Sequence, residues 1–257
     1  MPRIFGWLIE SNDLKSAAMH SNLENDGRPF IFRRAFLAFA LLAFVAINLG
    51  TAAVGVARYP AFFSQHGAHT FVLEPVCALL AYAVAIVFIA RTHGPYWDAI
   101  LRAAVVFGGL TGTIEVINVG IENGIPFAVR APVVPIGFML TTFTVWGIAG
   151  FRTARSLKST RAGLLVAVSS AGICMLIAVA AGFIVQFLLA PPEPAYVSTW
   201  AEFQRSGWTD ARAFGVANTL DSGFTHLVIA PIVALFFGGL ASFVAQFIPT
   251  RVSPITR

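Results

Sequence analysis

Six uninterrupted apolar runs decide what this chain can become. They cover residues 35–56, 70–90, 99–121, 131–151, 162–190 and 222–248. Each is long enough to cross a bilayer, for which about 20 mostly apolar residues suffice as a helix. A membrane β-barrel would instead show alternating segments of about ten residues. In lipid every backbone amide must pair within its own segment, which a helix achieves and an open strand does not. The expected fold is therefore all-α: a polytopic transmembrane bundle of six spans over 35–248. It carries an N-terminal tail over 1–34 and a short tail over 249–257.

Composition removes the soluble alternative. Hydrophobic residues make up 57% of the 257 and charged residues 11%, against ~45–50% and ~25% in soluble domains. So little charge cannot cover a water-exposed surface. The net charge of +5 does not point to nucleic acid, because the basic residues lie between apolar runs and form no patch on a soluble face. Cys77 and Cys174 sit within apolar runs at no metal-motif spacing and read as small packing residues. The first apolar run follows a long polar tail, so no cleaved signal is expected.

Lys and Arg set the expected orientation. Thirteen of the 17 fall in the N-tail, the second and fourth connections with the adjoining span ends, and the C-tail. Arg58, Arg130, Arg205 and Arg212 fall on the other side. The positive-inside rule places both termini in the cytoplasm, and the fold suits a bacterial cytoplasmic membrane. The acids run the other way: Glu74, Glu115, Glu122, Glu193, Glu202, Asp210 and Asp221 belong to the outer side.

Two segments lie beside the spans. Residues 2–14 mix Ile4, Phe5, Trp7 and Leu8 with charge, the pattern of an interfacial helix. The connection 191–220 is the only long one on the outer side. Thr199-Trp200-Ala201-Glu202 matches a capping box, so a short external helix should start there, with Trp200, Phe203 and Trp208 on its surface.

Polar groups inside spans are costly and tend to mark function. Thr111, Glu115, Asn118 and Glu122 recur at offsets of four, three and four, which is one face of the third span. Asn218, Asp221, Ser222, Thr225 and His226 gather where the sixth span is expected to start. Glu74, Asn48 and Gln186 add further outer-half polar groups. Together these predict a polar pocket opening outward among spans 1, 2, 3 and 6, binding a small solute or ion through Glu115, Asn118, Glu122, Asp221, His226, Glu74 and Asn48. A mid-membrane acid such as Glu115 suits proton or cation handling, and hence transport. The few candidates to line an inner half of the path are Thr141, Thr142 and Thr144 in span four and Ser169 and Ser170 in span five.

Two other readings stay open. His66, His69, Glu74 and His226 are the right types for a transition-metal or redox site near the outer surface. Bis-histidine haem is disfavoured, since His226 alone of that set lies within a span. The chain could also be an accessory subunit, with the bilayer, a membrane partner or a second copy as its neighbours. No phosphate-binding glycine loop, HExxH, GxSxG or CxxC occurs, so nothing marks a soluble catalytic domain. The glycines of span three, Gly108 and Gly112, and of span six, Gly238 and Gly239, predict close helix approach.

Overall fold

The structure, a computed structural model, describes residues 28–124 and 133–248. Among them all regular structure is helical. The long helices are α1 (Arg28–Ala57), α2 (Ala68–Arg91), α3 (Pro95–Gly124), α4 (Val133–Leu157) and α5 (Thr160–Ile184), the last continued by a π-helical turn (Val185–Leu189). Two short helices follow, α6 (Pro194–Val197) and α7 (Ala201–Ser206), and then α8 (Ala211–Phe247). A 3-10 turn (Pro60–Ser64) lies between α1 and α2. Six helices are long and apolar enough to cross a membrane, so the chain has the architecture of a helical integral membrane protein. Contacts divide it into two compact units, Met1–Phe39 and Ala40–Arg257. Of the first, the described part is the opening of α1. The interfacial helix expected over 2–14 and the C-terminal tail lie outside the described residues.

Within the second unit, α5 is the central helix. Of its most apolar window 61% is buried, against 17% to 28% for the other five spans. It packs on α3, α4 and α8. Its sequence explains the position: small Ala and Gly residues point in every direction, so neighbours approach closely all round. The glycines expected to permit close approach face it. A Cβ on Gly108 would lie 2.7 Å from Ile173 Cβ, and one on Gly112 2.8 Å from Ile177 Cδ1. Gly238 abuts Ala167, and Gly239 lies beside Leu164.

Polar groups tie the bundle. Asn48 is fully buried, and its Nδ2 donates to the carbonyls of Phe44 at 2.8 Å and Leu176 at 3.0 Å, joining α1 to α5. Pro231 lies inside α8 and has no N–H for the carbonyl four residues earlier. That carbonyl belongs to Leu227, and the Tyr82 hydroxyl of α2 donates to it at 2.8 Å. The helix runs on through the proline, and another helix supplies the missing donor.

The α4–α5 joint has two residues. Lys158 takes a left-handed φ of 50°, and the Ser159 amide reaches back to the Ala154 carbonyl at 3.0 Å. This is the six-to-one bond of a Schellman stop. Ser159 then caps the next helix, its Oγ accepting from the Ala162 amide.

Two expectations need correction. The helix that carries the last apolar run starts at Ala211, not at Ser222. Asp210 caps it, with Oδ1 accepting from the amides of Arg212 at 2.8 Å and Ala213 at 3.1 Å. The run from Ala213 to Ala217 is buried. What read as the end of a loop is therefore more than two turns of packed helix. The short helix does begin at Ala201, but its cap position is Trp200 with no side-chain bond. Thr199 instead donates its hydroxyl to the Tyr196 carbonyl. Trp208 is not a surface residue. It is 8% exposed, packs edge-on against Phe62, Phe71 and Phe214, and donates its indole N–H to the His66 carbonyl at 3.0 Å. An indole that buries its ring and still finds an acceptor gains more than one left at the surface.

Candidate functional site

A cleft of about 260 Å3 opens between α3, α5 and α8, at the end of the bundle that carries the 190–210 connection. From α3 come Glu115, Asn118, Val119, Glu122 and Asn123. Their spacing of three, four, seven and eight from Glu115 keeps them on one face. From α5 and its π turn come Met175, Ala178, Val179, Gly182, Phe183 and Gln186, again one face. From α8 come Asn218, Thr219, Ser222, Gly223 and His226, in which 218, 222 and 226 follow at steps of four. Pro192 and Trp200 of the connection complete the lining. Two glycines make room. A Cβ on Gly223 would meet the Phe183 ring at 2.5 Å, whereas Gly182 opens onto empty space.

Glu115 is the deepest acid of the cleft along α3. Its Oε1 accepts from the Thr142 hydroxyl of α4 at 2.7 Å, and Thr142 is 1% exposed. Its Oε2 receives a longer bond, 3.4 Å, from Asn118 Nδ2. The Oδ1 of Asn118 is buried without a hydrogen-bond partner. Seven residues further along α3, about 10 Å at 1.5 Å per residue, lies Glu122. Among the described residues no Lys or Arg lines the cleft.

The π turn shapes the same end. Its wide turn closes with the Ala190 amide on the Val185 carbonyl at 2.7 Å, and Pro191 and Pro192 then stop the helix. Gln186 points into the cleft and donates to Asn123 Oδ1, which links the π turn to the end of α3. On another side the Arg58 guanidinium donates to the Phe187 carbonyl, and Gly55 leaves space for the Phe187 ring. π turns inside α-helices recur at functional sites because they re-aim side chains.

Of the residues expected to form the pocket, Glu115, Asn118, Glu122 and His226 come together. Asn48, Glu74 and Asp221 do not line it. Asn48 is spent on helix packing. Asp221 and His226 are five apart on α8, about 140° around the axis, so they cannot share this wall. The pocket accordingly lies among spans 3, 5 and 6 rather than 1, 2, 3 and 6. His226 Nδ1 also meets the Ser222 carbonyl of its own helix at 2.7 Å.

The metal set is dispersed. His66 is exposed, the His69 ring stacks on Phe63, and neither lies with Glu74 or His226 in the cleft. Among the described residues no three His, Cys, Asp or Glu side chains form a group that could hold a metal ion.

Thr142, Asn123 and Trp200 are the lining or supporting residues that spacing alone missed. Thr142, expected on an inner half of the path, lies instead at the depth of Glu115, because α4 runs antiparallel to α3 and nine residues separate each from the same end of its helix. Thr141 and Thr144 are exposed and bond their hydroxyls to Gly137 and Leu140 of their own helix. No family model matches the chain, and no curated protein or solved structure matches it.

Proposed function

We propose that the protein binds a small solute or ion in this cleft and moves it across the membrane, with Glu115 as the binding and coupling acid. The observation that carries the reading is the placement of one carboxylate, Glu115, on a membrane-length helix at the inner end of a cleft. It is held there by Thr142 and Asn118. A carboxylate in such surroundings is expensive unless it has a task or a full set of partners. On this reading both termini face the cytoplasm, as the Lys/Arg distribution requires, and the cleft opens to the opposite side. A helical bundle of this kind belongs in a cytoplasmic rather than an outer membrane.

Proteoliposomes test it. An imposed pH gradient across vesicles carrying the protein should dissipate faster than across empty vesicles. Glu115→Gln should return the rate to that of empty vesicles while the variant reconstitutes normally. A Glu115→Gln protein as fast as wild type would remove the proposal.

A further inference from the structure

We infer that a second cleft, between α1, α2 and α8, holds one anionic phospholipid, with an acyl chain in the cleft and the phosphate at Arg58. The cleft measures about 330 Å3 and lies wholly in the second compact unit. Ala52, Ala53 and Val56 of α1 form one wall, and Val72, Val76 and Leu79 of α2 form the other. Each set follows helical spacing, so each is one face of its helix. Leu220 of α8 is the floor, and Phe63 of the 3-10 turn stands half exposed at the rim. Every described side chain that lines the cleft is apolar, so a water there would find no side-chain partner. Both walls belong to membrane-length helices. The side away from Leu220 is therefore turned to hydrocarbon. This cleft shares no lining residue with the one at Glu115, so lipid occupancy here stands apart from solute binding there.

Size selects an alkyl chain over a helix. Along α1 the lining runs from Leu49 to Ala57, about 12 Å at 1.5 Å per residue. With zigzag C–C bonds of ~1.5 Å, about ten carbons cover that length. At about 30 Å3 each, the share of a water in the liquid, ten methylenes fill roughly 300 Å3. A helix ~10 Å wide needs roughly 900 Å3 over the same length and does not fit. Charge selects the headgroup. Arg58 follows Ala57, the last lining residue of α1, and its side chain is exposed. One of its N–H groups donates to the Phe187 carbonyl, which holds the guanidinium at this end of the bundle. A guanidinium carries five such donors in a planar fork that matches phosphate oxygens. At the end of a spanning helix it stands at headgroup depth. A zwitterionic headgroup offers the same phosphate but brings a cation beside Arg58, so the anionic lipid is preferred.

Native mass spectrometry of the detergent-solubilised full chain, titrated with phosphatidylglycerol or with phosphatidylcholine of the same acyl chains, tests the inference. The protein should retain one phosphatidylglycerol per chain, with a Kd about fivefold below that for phosphatidylcholine. Arg58→Gln keeps an N–H donor and drops the charge, and should bring phosphatidylglycerol to the level of phosphatidylcholine. Ala53→Trp should fill the cleft and abolish retention of both lipids. Val54→Trp, at the next position but exposed and outside the lining, should retain them as wild type does. Ala57→Trp takes the place of Ala53→Trp if the latter is not monodisperse. Phosphatidylglycerol retained after the cleft is filled, a preference that survives Arg58→Gln, or no lipid retained by wild type would overturn the assignment. A dimer that Ala53→Trp turns into a monomer would overturn it too, by making the cleft an interface between copies of the chain.

Discussion

Thr142 and Tyr82 each spend a hydroxyl on another helix's acceptor, and each is open to a clean substitution. Thr142→Val keeps the shape of the side chain and removes the donor to Glu115 Oε1. Leaving that oxygen short of a donor should cost about 1–3 kcal/mol, seen as a lower Tm in detergent, and Thr142→Ser should restore most of it. If the valine and serine variants melt alike, the bond contributes nothing. Tyr82→Phe should cost about 1–2 kcal/mol because the Leu227 carbonyl loses its donor. In a Pro231→Ala background the helix recovers its own amide for that carbonyl, and the cost of Tyr82→Phe should shrink. A double-mutant cycle reads the difference directly. At this scale Glu115, Asn118 and Glu122 could be read from their periodicity within an apolar run. Thr142 could not, because its role depends on α4 lying antiparallel to α3 with a particular register, and a threonine that back-bonds to its own helix, as Thr141 and Thr144 do, looks identical in sequence.

Among elements, α5 decides what the others may carry. Gly108 faces it and Gly109 does not: a Cβ on Gly108 meets Ile173 and the Ser170 carbonyl, whereas one on Gly109 meets nothing within 4 Å. Gly108→Leu should therefore fail to give a monodisperse protein in detergent, while Gly109→Leu should behave as wild type. Equal yields and equal Tm values for the pair would contradict the packing described for α3 against α5. The six helices were legible as apolar runs, but helix and run differ in length: α1 starts seven residues before its run and α4 ends six after its own. The start of α8 was hidden for a physical reason. Its first turns contain Arg212, Asn218 and Asp221, which lower the apolar signal, and its stop signal toward the connection is the Asp210 cap. That cap is visible only once the Arg212 and Ala213 amides are seen to need an acceptor.

For the molecule as a whole, sidedness has a direct test. With Cys77 and Cys174 replaced by Ala, one cysteine introduced at Lys158 and another, in a separate protein, at Glu202 sit at opposite ends of the bundle. Both native positions are exposed. In intact cells a membrane-impermeant maleimide should label the Glu202 site and not the Lys158 site. The reverse result would invert the orientation and place the cleft on the cytoplasmic side. The Lys/Arg count makes that sidedness an expectation from sequence, but the choice of cleft walls was not readable there. Span 5 offers Gln186 as an outer-half polar group, but nothing in its sequence shows that Gly182 and its neighbours form one side of the cleft.

The central place of α5 also bears on how the protein is made. When α5 leaves the ribosome, α3 and α4 already exist to receive it, and the two-residue joint at Lys158 and Ser159 turns it straight back along α4. The face of α5 that packs on α8 has nothing to meet until α8 is synthesised, and an Ala- and Gly-rich surface is cheap to leave in lipid during the wait. Glu115 gains its hydrogen bond from α4 early, but the wall that bears Ser222 and His226 comes last. The cleft is thus closed only at the final step of biogenesis, and a chain arrested before α8 would hold a nearly finished scaffold that lacks one of the cleft's three helical walls.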